Sequence, residues 1–263
     1  MSQRRHTFLF GEGGRRVAEM AGGSWDFRHG YVIRRHSHVE DQLLFASEGV
    51  MTLETNEGIW VVPPLRAVWI PAETAHGVTM SGRVSMRTLY LLPGLCRTLP
   101  RRSLVINTCS LLRELILHAC QFPKLRRRVA AERHVIDLIL DQLRLFESVP
   151  VQLPSPRDSR ARKLADILRA NPREQRPLEV LSMECGASKR TMQRLFAEES
   201  AMSFSRWRQR ARLIHAMQSL AAGQSVTNAA LDAGYSTASA FISMFRKQLG
   251  TTPTRYLAAA DGG

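Results

Sequence analysis

Three histidines and one glutamine have the residue types of a binding site. The chain reads His36-Ser37-His38, Gln42 follows four residues later, and His76 lies in a separate segment. Neutral imidazole nitrogens suit zinc, iron or nickel, whereas an amide oxygen is a weaker metal ligand than a carboxylate. Imidazoles also donate or accept hydrogen bonds. The residues therefore indicate binding chemistry, and the sequence contains no acid–base or nucleophile constellation that would indicate catalysis.

A second group of polar residues follows a repeated motif in the C-terminal part of the chain. Gly186 aligns with Gly234 and Phe196 with Phe245, a spacing of about 49 residues that indicates internal duplication. Each copy has a short apolar helix, a glycine suited to a tight turn and a second helix with a buried stripe at i, i+3 and i+4. We predict helix-turn-helix motifs at 178–199 and 226–249.

The outer face of the second helix differs between the two copies. In the first, guanidinium groups can bind guanine or phosphate and an amide can pair with adenine, so we predict base contacts by Arg190, Gln193 and Arg194 and a phosphate contact by Lys189. In the second, we predict groove contacts by Ser239 and Ser243, with Thr237, Arg246 and Lys247 nearer the phosphate backbone. The alternative is a small helical bundle with a solvated basic face, which the duplication disfavours.

This region, from about 160 to 258, resembles the DNA-binding domain of the AraC family of bacterial transcription regulators. The likeness is carried by SKRTMQRLF, MSFSRWRQRARLIHAMQSL and AALDAGYSTASAFISMFRKQLGTTPTRY. Ala201 and Phe204 stand where the family usually has Gly and Pro. The resemblance implies seven helices, with a long helix from about Ser203 to Ala222 that separates two recognition helices.

The histidines lie in a segment with β-strand patterns, from Trp25 to about Leu92. GVMTLET alternates, and IWVVPP and AVWIPAETAHGV are short β-branched and aromatic runs interrupted by Pro and Gly. Many short strands separated by turn residues predict a small barrel or sandwich. We assign a barrel to 25–96, after an N-terminal arm at 1–24.

This segment resembles the cupin barrel, in which H-x-H, an acidic residue and a later histidine converge on a divalent metal. His36, His38 and His76 match three ligand positions, and Gln42 stands where the family usually has Glu. Three interpretations remain open: a polar wall of an effector pocket, ordinary hydrogen-bonded groups, and a metal site. We favour an effector pocket formed by His36, His38, Gln42 and His76, because a barrel mouth is a usual place for a small ligand. A metal on His36, His38 and His76 is the least favoured interpretation, and no other cofactor is predicted.

Two apolar-faced helices are predicted in the segment 97–148, within LLRELILHACQF and RHVIDLILDQLRLF. Their apolar surface must be covered, either by the barrel or by a second copy of the chain, and the AraC resemblance favours a homodimer. The basic run 124–128 is interpreted as a solvated loop, with phosphate contact as the alternative. A linker at 149–158 contains three prolines in its first eight residues, which makes it extended and stiff, and we expect Ser159 to cap the helix that follows.

The charge of the chain is concentrated in its C-terminal part. The net charge is +14, of which residues 1–96 carry +1, 97–156 carry +5 and 157–263 carry +8. A basic half beside a near-neutral half points to a polyanionic partner for one part only. The four cysteines match neither a zinc site nor a disulfide framework, and no apolar run approaches the length of a membrane span or a secretory signal, so we expect a cytoplasmic protein.

These observations predict an α+β protein of two domains: a cupin-like β-barrel plus helices, and an all-α bundle at 159–258 with two helix-turn-helix motifs. We interpret it as a sequence-specific transcription regulator, not an enzyme, that binds double-stranded DNA and a small-molecule effector. A homodimer is expected, as is RNA polymerase as a partner if the protein is an activator. The alternative is a metal-dependent cupin enzyme with an accessory DNA-binding domain, which the missing Glu and the attached DNA-binding domain disfavour.

Overall fold

The structure, a computed structural model, describes residues 8–9, 16–64, 66–145 and 152–258. Most of the predicted arm at 1–24 lies outside these residues, as do the end of the packing segment 97–148 and the start of the linker 149–158. Across the described helices, no stretch combines the length and the hydrophobicity that a membrane span requires.

The chain forms two compact units. The first contains the described residues up to Thr55 and those from Trp60 to Gln152, and the second contains Asn56–Ile59 and the described residues from Leu153 onward. The first unit has a sheet and two helices and the second is helical, so the predicted α+β class is confirmed.

The first unit is built on an antiparallel sheet. Its strands are β1 (Met20–Phe27), β2 (Val32–His36), β3 (Asp41–Thr55), β4 (Gly58–Val62, of which residues 60–62 belong to this unit), β5 (Arg66–Ile70), β6 (His76–Leu91) and β7 (Leu104–Asn107). The long strand β6 pairs with β1, β2 and β3, and β5 lies between β3 and β7. Because β6 spans sixteen residues, one strand connects most of the sheet.

One face of this sheet packs against two helices, α1 (Ser110–Ala119) and α2 (Ala130–Arg144). Leu43, Leu89 and Leu91 of the sheet share a buried core with Ile116 of α1 and Ile139 of α2. Successive side chains of a strand alternate between faces, so the residues between these leucines point to the opposite face of the sheet.

The predicted limits of the barrel, 25–96, are too narrow. The sheet begins at Met20, and β7 lies in the segment 97–148, where only helices were predicted. A four-residue strand, Leu-Val-Ile-Asn, is too short to show a period that separates it from the adjoining helical pattern.

The second unit contains seven described helices, as many as the resemblance implies. They are α3 (Ser159–Ala170), α4 (Leu178–Glu184), α5 (Lys189–Ser200), α6 (Phe204–Ala221), α7 (Val226–Asp232), α8 (Ala238–Leu249) and α9 (Pro253–Ala258). A short strand, β8 (Gln152–Pro154), precedes them, and Ser155 N donates to Glu57 O within the same unit. The N-cap of α3 is Asp158, whose carboxylate accepts from Arg160 N, and not Ser159 as predicted, because the carboxylate is a strong cap one residue earlier.

The long helix α6 supplies the centre of the second unit. Trp207 is 1% exposed, and its ring lies 5.3 Å from that of Phe196 on α5. The Trp207 Nε1–H donates to Pro154 O at 2.8 Å, which satisfies the indole of this buried residue. Farther along α6, Arg212 donates to the carbonyl oxygens of Pro172 and Glu174 in the loop between α3 and α4. The helix therefore binds the segments that precede and follow α3.

Candidate ligand pocket and nucleic-acid interface

A cavity of about 290 Å³ lies on the sheet face that is turned away from α1 and α2. Most of its wall is apolar, formed by Phe8, Trp25, Phe27, Tyr31, Ile33, Leu44, Val78, Met86 and Tyr90. The polar part of the wall consists of His36, Gln42 and His76. Three of the four predicted pocket residues therefore line the cavity. The fourth, His38, does not line the cavity but contacts Gln42, which does.

Strand pairing brings the polar residues together from distant points of the chain. His36, the last residue of β2, is the antiparallel partner of His76, the first residue of β6. Gln42 of β3 pairs with Tyr90 near the other end of β6. Paired residues present their side chains on the same face, so the two pairs form opposite parts of one polar and aromatic wall.

Backbone carbonyl groups fix the tautomers of the two lining histidines. His76 Nδ1 donates to Thr74 O at 2.8 Å, and His36 Nδ1 donates to Arg34 O at 2.9 Å. A carbonyl oxygen only accepts, so each Nδ1 carries a proton, and in a neutral ring this leaves Nε2 as the acceptor nitrogen. Burial lowers the pKa of His76 to about 3, so this ring stays neutral at physiological pH.

The third histidine, His38, is hydrogen-bonded at both ring nitrogens. Nδ1 lies 2.8 Å from Glu40 O and Nε2 lies 3.1 Å from Gln42 Oε1. Gln42 Nε2 in turn donates to Thr88 Oγ1 at 2.9 Å. A ring nitrogen from each of the three histidines lies within 4.8 Å of the others, but a metal would have to displace Gln42 from His38. The residues therefore do not fit a three-histidine metal site as they stand.

Sequence reasoning missed Glu40 and the aromatic part of the wall. Glu40 is 0% exposed, and its Oε1 accepts from Phe8 N and Leu9 N at 2.7 and 3.2 Å. The Phe8 ring stacks on Tyr90 with a centroid distance of 3.7 Å. Alternation along β6 marks Tyr90 as a residue of one face, but only the strand register shows that this face is the pocket.

Both helix-turn-helix motifs have the local structure that their sequences predict. Gly186 and Gly234 follow the first helix of each motif with φ of 75° and 80°, a left-handed conformation that glycine adopts without strain. Ser188 caps α5 by accepting from Thr191 N, and Thr237 caps α8 by accepting from Ala240 N. Thr237, predicted near the phosphate backbone, therefore has a structural role as well.

The predicted DNA-contacting residues are exposed on α5 and α8. On α5 these are Lys189, Arg190, Gln193 and Arg194, and on α8 they are Ser239, Ser243, Arg246 and Lys247, with Thr237 exposed at the cap. Their opposite faces are buried through Met192, Leu195 and Phe196 and through Phe241, Met244 and Phe245. Each motif therefore presents one polar helix face to solvent.

Two of the α5 cations are paired with carboxylates of the same unit. Lys189 forms an ion pair with Glu179, and Arg194 Nη1 lies 2.8 Å from Glu198 Oε2. Both pairs are about half exposed and are therefore weak, so phosphate or a base edge can replace the carboxylate.

Comparison with protein families identifies two regions. Residues 18–153 match the AraC-like ligand binding domain, and residues 181–259 match a helix-turn-helix domain. The first match spans strands β1 to β7, both packing helices and all the described lining residues of the cavity except Phe8. The second begins within α4, and both recognition helices lie inside it.

Similar proteins include two regulators and one solved structure. The chain is 32% identical to the HTH-type transcriptional regulator NimR of Escherichia coli strain K12 over 85% of this chain and 81% of that protein. It is 36% identical to the HTH-type transcriptional regulator RipA of Corynebacterium glutamicum over 46% of this chain and 37% of that protein. A structure of Vibrio cholerae ToxT with bound unsaturated fatty acid has a TM-score of 0.40 at 9% identity, covering 93% of this chain and 97% of that one.

Proposed function

The chain belongs to the AraC family of transcription regulators, and on this premise we propose that a small molecule in the His36–Gln42–His76 cavity controls its binding to DNA. The family membership makes the protein a regulator with a ligand-binding N-terminal domain and a DNA-binding helix-turn-helix domain. The identity of the cavity as the effector site and the residues that contact DNA are the proposed parts.

The observation that carries the effector site is the combination of an apolar cavity with a few convergent polar groups. Such a combination is typical of small-molecule sites. All the described lining residues except Phe8 lie inside the region that matches the ligand binding domain, and His36, Gln42 and His76 supply imidazole and amide groups to the wall. A ligand bound there can act on DNA binding only through different affinities for two states of the regulator.

For DNA we propose unequal roles for the two recognition helices. Arg190, Gln193 and Arg194 reach base edges from α5, because guanidinium and amide groups can form bidentate bonds with bases. Ser239 and Ser243 offer only short side chains on α8. Lys189, Arg246 and Lys247, with Thr237, contact phosphates. The expected result is strong base preference in one half of the site and loose preference in the other.

Selection of genomic fragments with the purified full chain, followed by sequencing at fixed salt, tests the DNA-binding part. A recovered motif that spans two adjacent major grooves, with sharper preference in one groove, is the expected outcome. Fixed salt is needed because phosphate contacts make affinity strongly salt-dependent. A motif with equal preference in both grooves would contradict the unequal roles, and a lack of enrichment with and without ligand would contradict sequence-specific binding by this chain.

Three partner assignments extend this proposal. We propose a homodimer formed through α2, contact with RNA polymerase where the protein activates transcription, and action in the cytoplasm, where a bacterial chromosome lies. The homodimer is supported by apolar side chains left exposed on α2, among them Leu138, which is 46% exposed.

The metal-dependent enzyme remains the second candidate because three histidine nitrogens lie within 4.8 Å of one another. We propose that the domain binds its ligand without transforming it, since Gln42 occupies His38 Nε2. Metal analysis of purified wild type and Gln42→Glu tests this. We expect little bound zinc in the wild type and stoichiometric zinc in Gln42→Glu, because a carboxylate is the better ligand. Stoichiometric metal in the wild type together with turnover would favour the enzyme.

A further inference from the structure

The wall of the cavity restricts the charge of its ligand. Among the described residues that line it, none is Asp, Glu, Lys or Arg. A permanently charged ligand would lose part of its hydration in this cavity without gaining an opposite charge from the lining residues, which is unfavourable. The cavity therefore favours an uncharged molecule.

The apolar wall favours a flat aromatic molecule. Phe27 and Tyr31 stack with ring centroids 4.7 Å apart, and Phe8 and Tyr90 stack at 3.7 Å. With Trp25, these rings surround the cavity. Aromatic faces and edges pair best with other aromatic rings, which gain interaction energy beyond the buried area.

The polar end of the cavity requires a hydrogen-bond donor on the ligand. His76 is 1% exposed, and its Nδ1–H already donates a hydrogen bond to Thr74 O. Its Nε2 is therefore an acceptor nitrogen in a buried polar wall. A ligand that places an O–H or N–H at this nitrogen gains a hydrogen bond to it, whereas a second acceptor there would be repelled.

The size of the cavity sets the number of rings. A dry protein cavity of about 150 Å³ accommodates benzene. The present cavity is 290 Å³, so it has room for two fused rings, or for one ring with short substituents.

We propose that the cavity binds an uncharged one- or two-ring aromatic or heteroaromatic molecule that donates an O–H or N–H hydrogen bond to His76 Nε2. This assignment rests on the proposed function of the cavity as the effector site and adds the chemical class of the effector. Phenols, indoles and azoles belong to this class, whereas fatty acids, aromatic acids and cationic amines do not.

Isothermal titration of the full chain with four probes tests the class. The probes are 2-naphthol, 2-methoxynaphthalene, which lacks the donor, 2-naphthoate, which is an anion, and octanoate, which is an aliphatic anion. We expect measurable binding of 2-naphthol, about tenfold weaker binding of 2-methoxynaphthalene, and no detectable binding of either acid. A lack of 2-naphthol binding, equal affinity for its methyl ether, or tighter binding of either acid would overturn the proposal.

Two variants assign the contacts. His76→Leu removes the acceptor and should bring the affinity for 2-naphthol down to that for 2-methoxynaphthalene, with the latter unchanged. Trp25 is 42% exposed and is therefore dispensable for the core. Trp25→Ala should weaken the binding of both compounds equally. Thermal unfolding of each variant shows whether it is folded. If His76→Leu does not fold, the donor requirement is still tested by comparing the affinities of the wild type for 2-naphthol and 2-methoxynaphthalene. If neither variant loses affinity for 2-naphthol, the binding site lies elsewhere and the assignment is overturned.

DNA affinity is measured in parallel with a fragment recovered by genomic selection. This measurement distinguishes a failure of the proposed ligand class from a failure of the proposed control of DNA binding. If 2-naphthol binds the wild type and loses affinity in the variants while DNA affinity stays constant, the ligand class stands and the proposed control of DNA binding is wrong. If octanoate changes DNA affinity and 2-naphthol does not bind, the control mechanism stands and the ligand class is overturned.

Discussion

Ala201 and Gly250 occupy equivalent positions after the two recognition helices, and both have a left-handed backbone. Ala201 has φ of 53° and Gly250 has φ of 74°. Glycine adopts this conformation without strain, whereas the Cβ of alanine makes it unfavourable by about 1–2 kcal/mol. The first motif therefore carries a strained residue where the second does not.

Ala201→Gly should therefore stabilise the chain by about 1 kcal/mol, since relief of strain exceeds the entropy cost of the added glycine. The matched change Gly250→Ala should destabilise it by a similar amount. Urea unfolding of both variants and the wild type measures the difference. A loss of stability on Ala201→Gly would show that the left-handed turn is not maintained in solution.

At the residues proposed to face DNA, Arg194→Ala should weaken binding to the selected site by about 1–3 kcal/mol and relax preference at one base pair. The matched change Ser243→Ala on α8 should have a much smaller effect, because serine reaches base edges poorly. Competition binding against single-base variants of the site, at fixed salt, measures both. Equal loss of specificity in the two variants would disprove unequal readout.

Among the elements, the recognition helices were the most predictable and the sheet the least. The buried stripes of α5 and α8 follow from a 3.6-residue period within each helix, and Met192 and Phe245 are buried as that local period predicts. The wall of the cavity depends instead on which strands pair and in which register. Trp25 and Tyr90 were not assigned to it, because β1 and β6 pair residues that are 57 to 71 positions apart in the chain.

The two helices of the first unit also show that local sequence does not predict which apolar residues are buried. The apolar residues Leu111 of α1 and Leu138 of α2 belong to apolar runs, yet they are 50% and 46% exposed, while Ile116 and Ile139 are fully buried. A local period predicts an apolar stripe, but it does not show which part of a wide stripe the sheet covers.

The exposed part of α2 leads to a prediction about assembly. Leu138→Asp combined with Leu145→Asp, where Leu145 is 76% exposed, should convert the dimer to a monomer at micromolar concentration, because charge is unfavourable in an apolar interface. Leu111→Asp on α1 is the control and should remain dimeric. Sedimentation velocity measures all three chains. A monomeric wild type, or a dimer that tolerates both aspartates, would rule out this interface.

At the scale of the whole molecule, charge separates the two parts of the chain. Residues 157–263 carry +8 of the total +14, and residues 1–96 carry +1. Composition alone therefore predicted which half meets the polyanion. It did not predict that Lys189 and Arg194 are paired with carboxylates in the DNA-free protein, because these pairs depend on the fold.

The salt dependence of DNA binding should follow individual cations of the second unit. Arg246→Gln and Lys247→Gln should each reduce the slope of log affinity against log salt by about 1 without changing base preference. Arg128→Gln, in the basic run 124–128 of the first unit, is the control and should leave the slope unchanged. A reduced slope in the control would favour phosphate contact by that run.

Strand β6 separates the ligand cavity from the helix layer by the thickness of a single strand. Tyr90 stands in the wall of the cavity, while its chain neighbours Leu89 and Leu91 are in the core with α1 and α2. If the cavity is the effector site, a displacement of Tyr90 by a ligand would reach the core beneath α1 and α2 through one peptide unit on either side. The alternation of side chains along one strand is then the relay between the two faces of the sheet.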